Sequence, residues 1–226
     1  MIKCITFDLD DTLWEIKPVI IKAEIKFYEW LETNYPQAAE KFNIEKLRKL
    51  MRQTAIENPE IKHDLTKVRI KAYDSIRDLF NFSDNMPMDA YKYFMRYRNK
   101  VTLFNKAEYI LSALKKSYII GTITNGNASL EEIGIKKYFD FEIKASEVGY
   151  MKPDKKIFLA AITESKCNPS EIVHVGDSYE KDILGAISSN MNYIWLNSKN
   201  ETNHNLGNKN IIKSLSELPT ALQQIY

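Results

Sequence analysis

The order of apolar and polar positions divides the chain into two kinds of segment. Four short apolar runs, rich in β-branched residues, are "CITF" (Cys4 to Phe7), "YIIGTIT" (Tyr118 to Thr124), "IVHV" (Ile172 to Val175) and "YIWL" (Tyr193 to Leu196). Continuous runs of this length suit strands buried on both faces, as in a parallel sheet. The stretches "KAEYILSALKKS", "DKKIFLAAITES" and "EKDILGAISSN" instead place apolar residues three or four apart, the helical period. Strand and helix in alternation predict an α/β fold with right-handed crossovers.

The alternation stops between about Lys17 and Asn99, where strand-like runs vanish. In "LTKVRIKAYDSIRDL", residues Leu65, Val68, Ala72, Ile76 and Leu79 are expected on one helical face. The pattern therefore predicts a core of residues 1–16 and 100–226 with an all-helical insertion at 17–99. Because the insertion starts directly after an aspartate cluster, a lid is the natural expectation. The polar stretch "NSKNETNHNLGNKN" (Asn197 to Asn210) reads as an exposed loop.

Composition narrows the class. With 226 residues, 44% of them hydrophobic, the chain can build a core without staples. Its 32 basic and 30 acidic residues leave a formal charge of +2, far from the excess of a nucleic-acid binder. Cys4 and Cys167 lie far apart without metal-ligand spacing, which argues against a disulfide framework or structural zinc. No stretch approaches the ~20 apolar residues of a membrane span, and no signal-like apolar core follows the start. A cytoplasmic protein with no membrane or nucleic-acid partner is the expectation.

Ligands of open parallel sheets bind beyond the carboxyl ends of the strands. Polar clusters fall at such positions: "DLDDT" after the first strand, "TNGN" after the second, "MKPD" at Met151 to Asp154, and "GDSYEKD" after "IVHV". Asp8 and Asp10 are two apart, so an extended backbone sends both side chains to one side. Asp177 comes from another strand end, and three carboxylates together require a cation. Oxygen-only ligands favour Mg²⁺ over zinc. Thr124 and Asn125 offer a hydroxyl and an amide to a phosphoryl group, Gly126 allows close backbone approach, and Lys152 supplies a charge. Pro153 is expected in the first turn of the following helix.

In this order, Asp8-Leu9-Asp10-Asp11-Thr12, Thr124-Asn125-Gly126, Lys152-Pro153 and Gly176-Asp177-Ser178 with Asp182 resemble the four motifs of the haloacid dehalogenase superfamily. The resemblance implies a Rossmann-like core, with the insertion as a helical cap of that superfamily's first type. It implies Asp8 as the nucleophile forming an aspartyl-phosphate, and Asp10 as general acid and then base. It also implies Mg²⁺ on Asp8, Asp177 and the Asp10 carbonyl, with Thr124, Asn125 and Lys152 on the phosphoryl oxygens. Asp182 would support the metal or orient Lys152. Expelling an alkoxide benefits from an acid and expelling a halide does not, so the Asp10 carboxyl favours phosphate esters over haloacids.

The stretches "FDLDDTLWEIKPVI", "ENPEIKHDLTKVRIKAY" and "FMRYRNKVTLF" further resemble bacterial phosphatases acting on flavin mononucleotide and on 5-amino-6-(5-phospho-D-ribitylamino)uracil. That likeness implies a ribityl phosphate on a planar heterocycle, with Trp14, Tyr73, Tyr91 or Tyr97 as stacking candidates and Arg69 as the first cation to test. A sugar-phosphate or nucleotide phosphatase, a phosphomutase and a non-catalytic phosphate-binding protein are the alternatives. Several residues also carry plain structural readings. Asp11 reads as a turn former, His174 as a satisfied core histidine, and His63 and His204 as solvent-facing. From Ile61 to Lys100 nine basic residues oppose five acidic ones, a bias that attracts phosphate esters or merely solvates a face.

Overall fold

The computed structural model describes residues 1–202 and 210–225, so His204 and half of the expected polar loop lie outside the described residues. Six strands form one all-parallel sheet: β1 (Cys4–Phe7), β2 (Ile119–Thr124), β3 (Phe141–Lys144), β4 (Ile172–Gly176), β5 (Asn192–Leu196) and β6 (Ile211–Ile212). Their order is β3-β2-β1-β4-β5-β6, a Rossmann-like arrangement in which the winding reverses beside β1. Phe7 lies opposite Thr122 on one side and Val175 on the other. The chain therefore leaves β1 at Asp8 between the carboxyl ends of two neighbours.

Helices α1 (Ile16–Asn34), α2 (Pro36–Lys41), α3 (Ile44–Glu57), α4 (Leu65–Phe80) and α5 (Met86–Arg98) follow β1, and α6 (Ala107–Leu114) leads into β2. Next come α7 (Leu130–Ile133), α8 (Ala145–Val148), α9 (Lys155–Ser165), α10 (Leu184–Ser188) and α11 (Leu218–Gln223). The chain divides into two compact units. One comprises Met1–Glu15, Thr102–Gly126 and Gly134–Tyr226; the other comprises Ile16–Val101 and Asn127–Ile133.

In the sheet-bearing unit, every residue of β1 is buried, as its uninterrupted apolar run requires. Ile123, Ile143, Ile157, Phe158 and Ile172 belong to a core cluster that joins β2, β3, β4 and α9. At Gly121 a Cβ would fall 2.2 Å from the Phe141 ring, so glycine is what lets that ring lie against β2.

The helical unit is built on spaced apolar positions. Helix α1 buries Val19, Ala23, Phe27 and Leu31, four apart. Helix α4 starts at Asp64, whose side chain accepts from the amides of Thr66 and Lys67, and ends at Asn81 in the left-handed region. Its buried face is Val68, Ala72, Tyr73 and Ile76, whereas Leu65 and Leu79 are 42% and 50% exposed. The expected apolar face is thus displaced toward Tyr73, because the Tyr73 ring stacks on Phe27 of α1 with centroids 4.8 Å apart. Tyr73 is fully buried, and Trp14 is buried in the sheet-bearing unit, so neither offers a free face to a ligand ring.

Candidate active site

Asp8 follows the last residue of β1, and its amide donates to the Val175 carbonyl at 2.9 Å, which extends the sheet pairing by one step. Its carboxylate is 8% exposed as a residue and accepts from Lys152 Nζ at 2.5 Å. The same ammonium donates to Asp182 Oδ1 at 2.6 Å and to the Ile123 carbonyl at 2.7 Å. All three lysine donors are therefore used, and Lys152 is a fixed buried charge.

The segment carrying Lys152 is clamped by Asn125. Asn125 Oδ1 accepts from the Lys152 amide at 2.7 Å, and its Nδ2 donates to the Lys152 carbonyl at 3.0 Å. The amide group expected to face a phosphoryl oxygen thus holds the lysine's backbone. Thr124 is buried, and its hydroxyl oxygen accepts from the Gly126 amide at 2.9 Å, leaving its hydrogen to donate. The Lys152-Pro153 peptide is cis, and helix α9 begins only at Lys155 with Asp154 as its cap. Pro153 therefore lies in the preceding turn, a correction to its expected place inside the helix. Asp154 takes that entry because its side chain accepts from the Lys156 amide.

Asp182 is positioned from the end of β4. Its Oδ2 accepts from the Ser178 amide at 3.0 Å, and its Oδ1 takes His174 Nε2 at 3.1 Å besides Lys152. His174 is fully buried, with its other ring nitrogen 2.9 Å from the Thr6 hydroxyl, so it is the satisfied core histidine expected. Gly176 makes this possible: a Cβ there would stand 2.3 Å from Asp182 Cγ. Residues Tyr179–Ile183 form a π-helical turn that brings Asp182 back over that glycine.

Asp8, Asp177 and Asp182 each offer a carboxylate oxygen within 4.8 Å of the others. The donor set is all oxygen, which fits a hard divalent cation such as Mg²⁺. Burial, then the Asp182 and Asp10 charges, push the Asp8 carboxyl up to about 8, against the pull of Lys152. Burial also raises Asp177 to about 6, helped by Asp182 and Asp11. Burial opposes ionisation of Asp182 too, yet Lys152 and His174 hold it well below the usual carboxylate range. One ammonium cannot neutralise the whole cluster. Asp182 is the acid it holds ionised, and the Asp8 carboxyl stays raised, an imbalance that a divalent cation on these oxygens would relieve.

Asp10 is part-buried, and its Oδ1 accepts from Trp14 Nε1 at 2.9 Å. Its charge is felt at Asp8, although its carboxylate is not among the three clustered ones. Asp11 adopts φ 61°, a conformation aspartate tolerates in turns. Sequence reasoning missed two supports. Trp195, opposite Gly176 on β5, donates its indole N–H to the Asp177 carbonyl at 2.8 Å. Lys199 Nζ stands 3.4 Å from Asp11 and 4.0 Å from Asp177. Strand register could have indicated Trp195; nothing local marks Lys199.

A parallel sheet with a carboxylate cluster and a buried lysine at its winding reversal places the chain in the doubly wound α/β class. The model of the haloacid dehalogenase-like hydrolases matches residues 2–190, and the chain belongs to that family. It is similar to the 5-amino-6-(5-phospho-D-ribitylamino)uracil phosphatase YigB of Escherichia coli K12, with 32% identity covering 88% of this chain and 85% of that one. It is also 26% identical to a glyceraldehyde 3-phosphate phosphatase of Methanothermobacter thermautotrophicus, covering 88% and 87% of the two chains. Among solved structures, a 2-haloacid dehalogenase from Pseudomonas syringae superposes over 100% of both chains with a TM-score of 0.93 at 32% identity. No helix among the described residues is long and apolar enough to cross a membrane.

Proposed function

We propose that the chain is a Mg²⁺-dependent phosphomonoesterase that works through an aspartyl-phosphate on Asp8. The observation that carries this reading is the Lys152 ammonium, 2.5 Å from Asp8 and 2.6 Å from Asp182, inside a carboxylate cluster at the strand ends. In the reading, an Asp8 oxygen attacks phosphorus as the ester oxygen leaves, and Asp10 gives that oxygen its proton. Asp10 then takes a proton from the water that cleaves the acyl phosphate, which regenerates Asp8. Asp8, Asp177 and the Asp10 carbonyl would hold Mg²⁺, which when bound neutralises Asp8 and the phosphoryl charge. Asp182 orients Lys152 rather than the metal, since its oxygens are already taken by Lys152, His174 and Ser178. Thr124 donates its hydroxyl to a phosphoryl oxygen, and Asn125 acts by fixing Lys152.

Two similarities pull the substrate in different directions, toward ribityl phosphates and toward haloacids. The Asp10 carboxyl supports the ester reading, because a carboxyl acid serves an alkoxide leaving group and not a halide. The substrate is a small metabolite phosphate of the flavin mononucleotide or 5-amino-6-(5-phospho-D-ribitylamino)uracil kind. The thiols Cys4 and Cys167 are free, which accords with action in a reducing cytoplasm. The test is phosphate release from flavin mononucleotide, the ribitylaminouracil phosphate, nucleotides and sugar phosphates, with and without Mg²⁺, beside halide release from 2-chloropropionate. Metal-dependent phosphate release led by the ribityl esters is expected. Halide release without phosphate release would overturn the proposal.

A further inference from the structure

The helical unit contains a cavity of about 260 Å³ between α1, α3 and α4. Ile44, Leu47 and Met51 give it an aliphatic lining, to which the buried Phe27 and Tyr73 also belong. Three arginines line it with one acid, Glu24. That acid is committed: Glu24 Oε2 accepts from Arg48 Nε at 2.9 Å and from its terminal nitrogen at 2.5 Å.

Arg69 is in a different position. It is half-buried, its guanidinium carbon lies 3.6 Å from the Phe94 ring centroid, and its nearest hydrogen-bonding neighbour is the Tyr73 hydroxyl at 3.5 Å. Among the described residues no carboxylate pairs with it, and none pairs with the exposed Arg52 on the same cavity. Arg77, by contrast, has both Asp74 and Asp78. A partly desolvated guanidinium that lines a cavity whose one acid is already paired with Arg48 gains most from an anion, which it grips in a planar fork. The aliphatic lining asks the rest of that ligand to be apolar. Since a cavity of about 150 Å³ holds benzene, this one has room for a ring and an anionic group.

We propose that this cavity is a binding site for a small organic monoanion with a compact apolar body, of the size of benzoate. Arg69 and Arg52 take the carboxylate, and the Leu47 and Met51 side takes the ring. The site is independent of the chemistry proposed at Asp8.

The test is calorimetric titration of the full chain with benzoate, with benzamide as the neutral isostere. Saturable benzoate binding is expected, with benzamide at least about tenfold weaker. Binding should weaken as salt rises from ~50 to ~500 mM. Arg69→Leu should cost about tenfold or more and Arg69→Lys less, because the lysine keeps charge without the fork. Met51→Trp should block both ligands by filling the space. Arg52→Gln, at an exposed position, gives a second reading if Arg69→Leu melts early, and should weaken benzoate a few-fold. Binding should survive Asp8→Asn. Absence of benzoate binding, equal affinity for benzamide, or a site lost in Asp8→Asn and untouched by the cavity variants would each overturn the proposal.

Discussion

Lys152→Met replaces the buried ammonium by an apolar chain of similar length. In the native arrangement Lys152 binds two carboxyl groups whose side chains are 11% and 2% exposed, and the variant removes that shared countercharge from both. Breaking a buried pair from one side costs about 3–5 kcal/mol. With a slope of ~2–3 kcal/mol per molar urea, the midpoint should fall by roughly 1–2.5 M at neutral pH. The pH dependence gives the more specific signature. The depressed pKa of Asp182 contributes stability that is present above the unfolded carboxylate range and lost as pH falls through its folded value. Without Lys152 the causes left at Asp8 are burial and neighbouring acids, all raising its pKa, and Asp182 loses its principal partner. Raised carboxylates favour folding when protonated, so metal-free Lys152→Met should regain stability on acidification from pH 8 to 5 more steeply than the parent. Urea unfolding in EDTA, followed by the buried Trp14 and Trp195 in a Trp30→Phe background, measures both quantities. A midpoint unchanged at pH 7, with a pH slope parallel to the parent's, would refute the assignment of Lys152 as the cluster's countercharge.

Three further outcomes are expected. Asp8→Asn should lower phosphate release at least ~10³-fold while leaving circular dichroism and melting intact, because the amide is isosteric and cannot attack phosphorus; normal turnover would remove Asp8 from the mechanism. Metal-free protein should lose stability between pH 7 and 8.5, since a carboxyl raised to about 8 favours the fold only while protonated. Saturating Mg²⁺ should flatten that slope, and denaturant midpoints at the two pH values, with and without metal, check it. Gly176→Ala would place a methyl 2.3 Å from Asp182 Cγ, so a loss of ~1–3 kcal/mol from overpacking is expected. It should also reduce kcat more than KM, because the displaced carboxylate orients Lys152; unaltered melting and kinetics would contradict the close approach.

Much of this was legible from the residues. The four apolar runs became β1, β2, β4 and β5, because strands buried on both faces have no polar alternation to hide them. Strand β3 escaped because "FEIK" alternates buried and half-buried positions, and β6 because it has only two residues. Asp8, Lys152, Asp177 and Asp182 were visible as polar residues stranded at the ends of apolar runs, and the structure brings them together. What could not be read was the division of labour among their neighbours. That Asn125 bonds to the Lys152 backbone, that His174 holds Asp182, and that Trp195 holds Asp177 all depend on sheet register and on a π-helical turn. Such contacts span 8 to 27 residues of sequence and leave no local periodicity.

The short segment Asn127–Ile133 joins the helical unit although it begins one residue after Gly126. Asn99 holds it there, accepting from the Ser129 amide at 3.0 Å and donating to Glu132 at 2.8 Å, while Asn127 reaches the Thr66 hydroxyl at 3.4 Å. The backbone consequently crosses between the two units four times, not the two times a simple insertion requires. As a building block, then, the helical insertion is not interchangeable: a chimaera that replaced residues 16–101 alone would strand the seven residues that follow Gly126 without their partners. Swapping in a foreign insertion must carry residues 127–133 with it, and the two stretches should be inherited as one exchangeable piece.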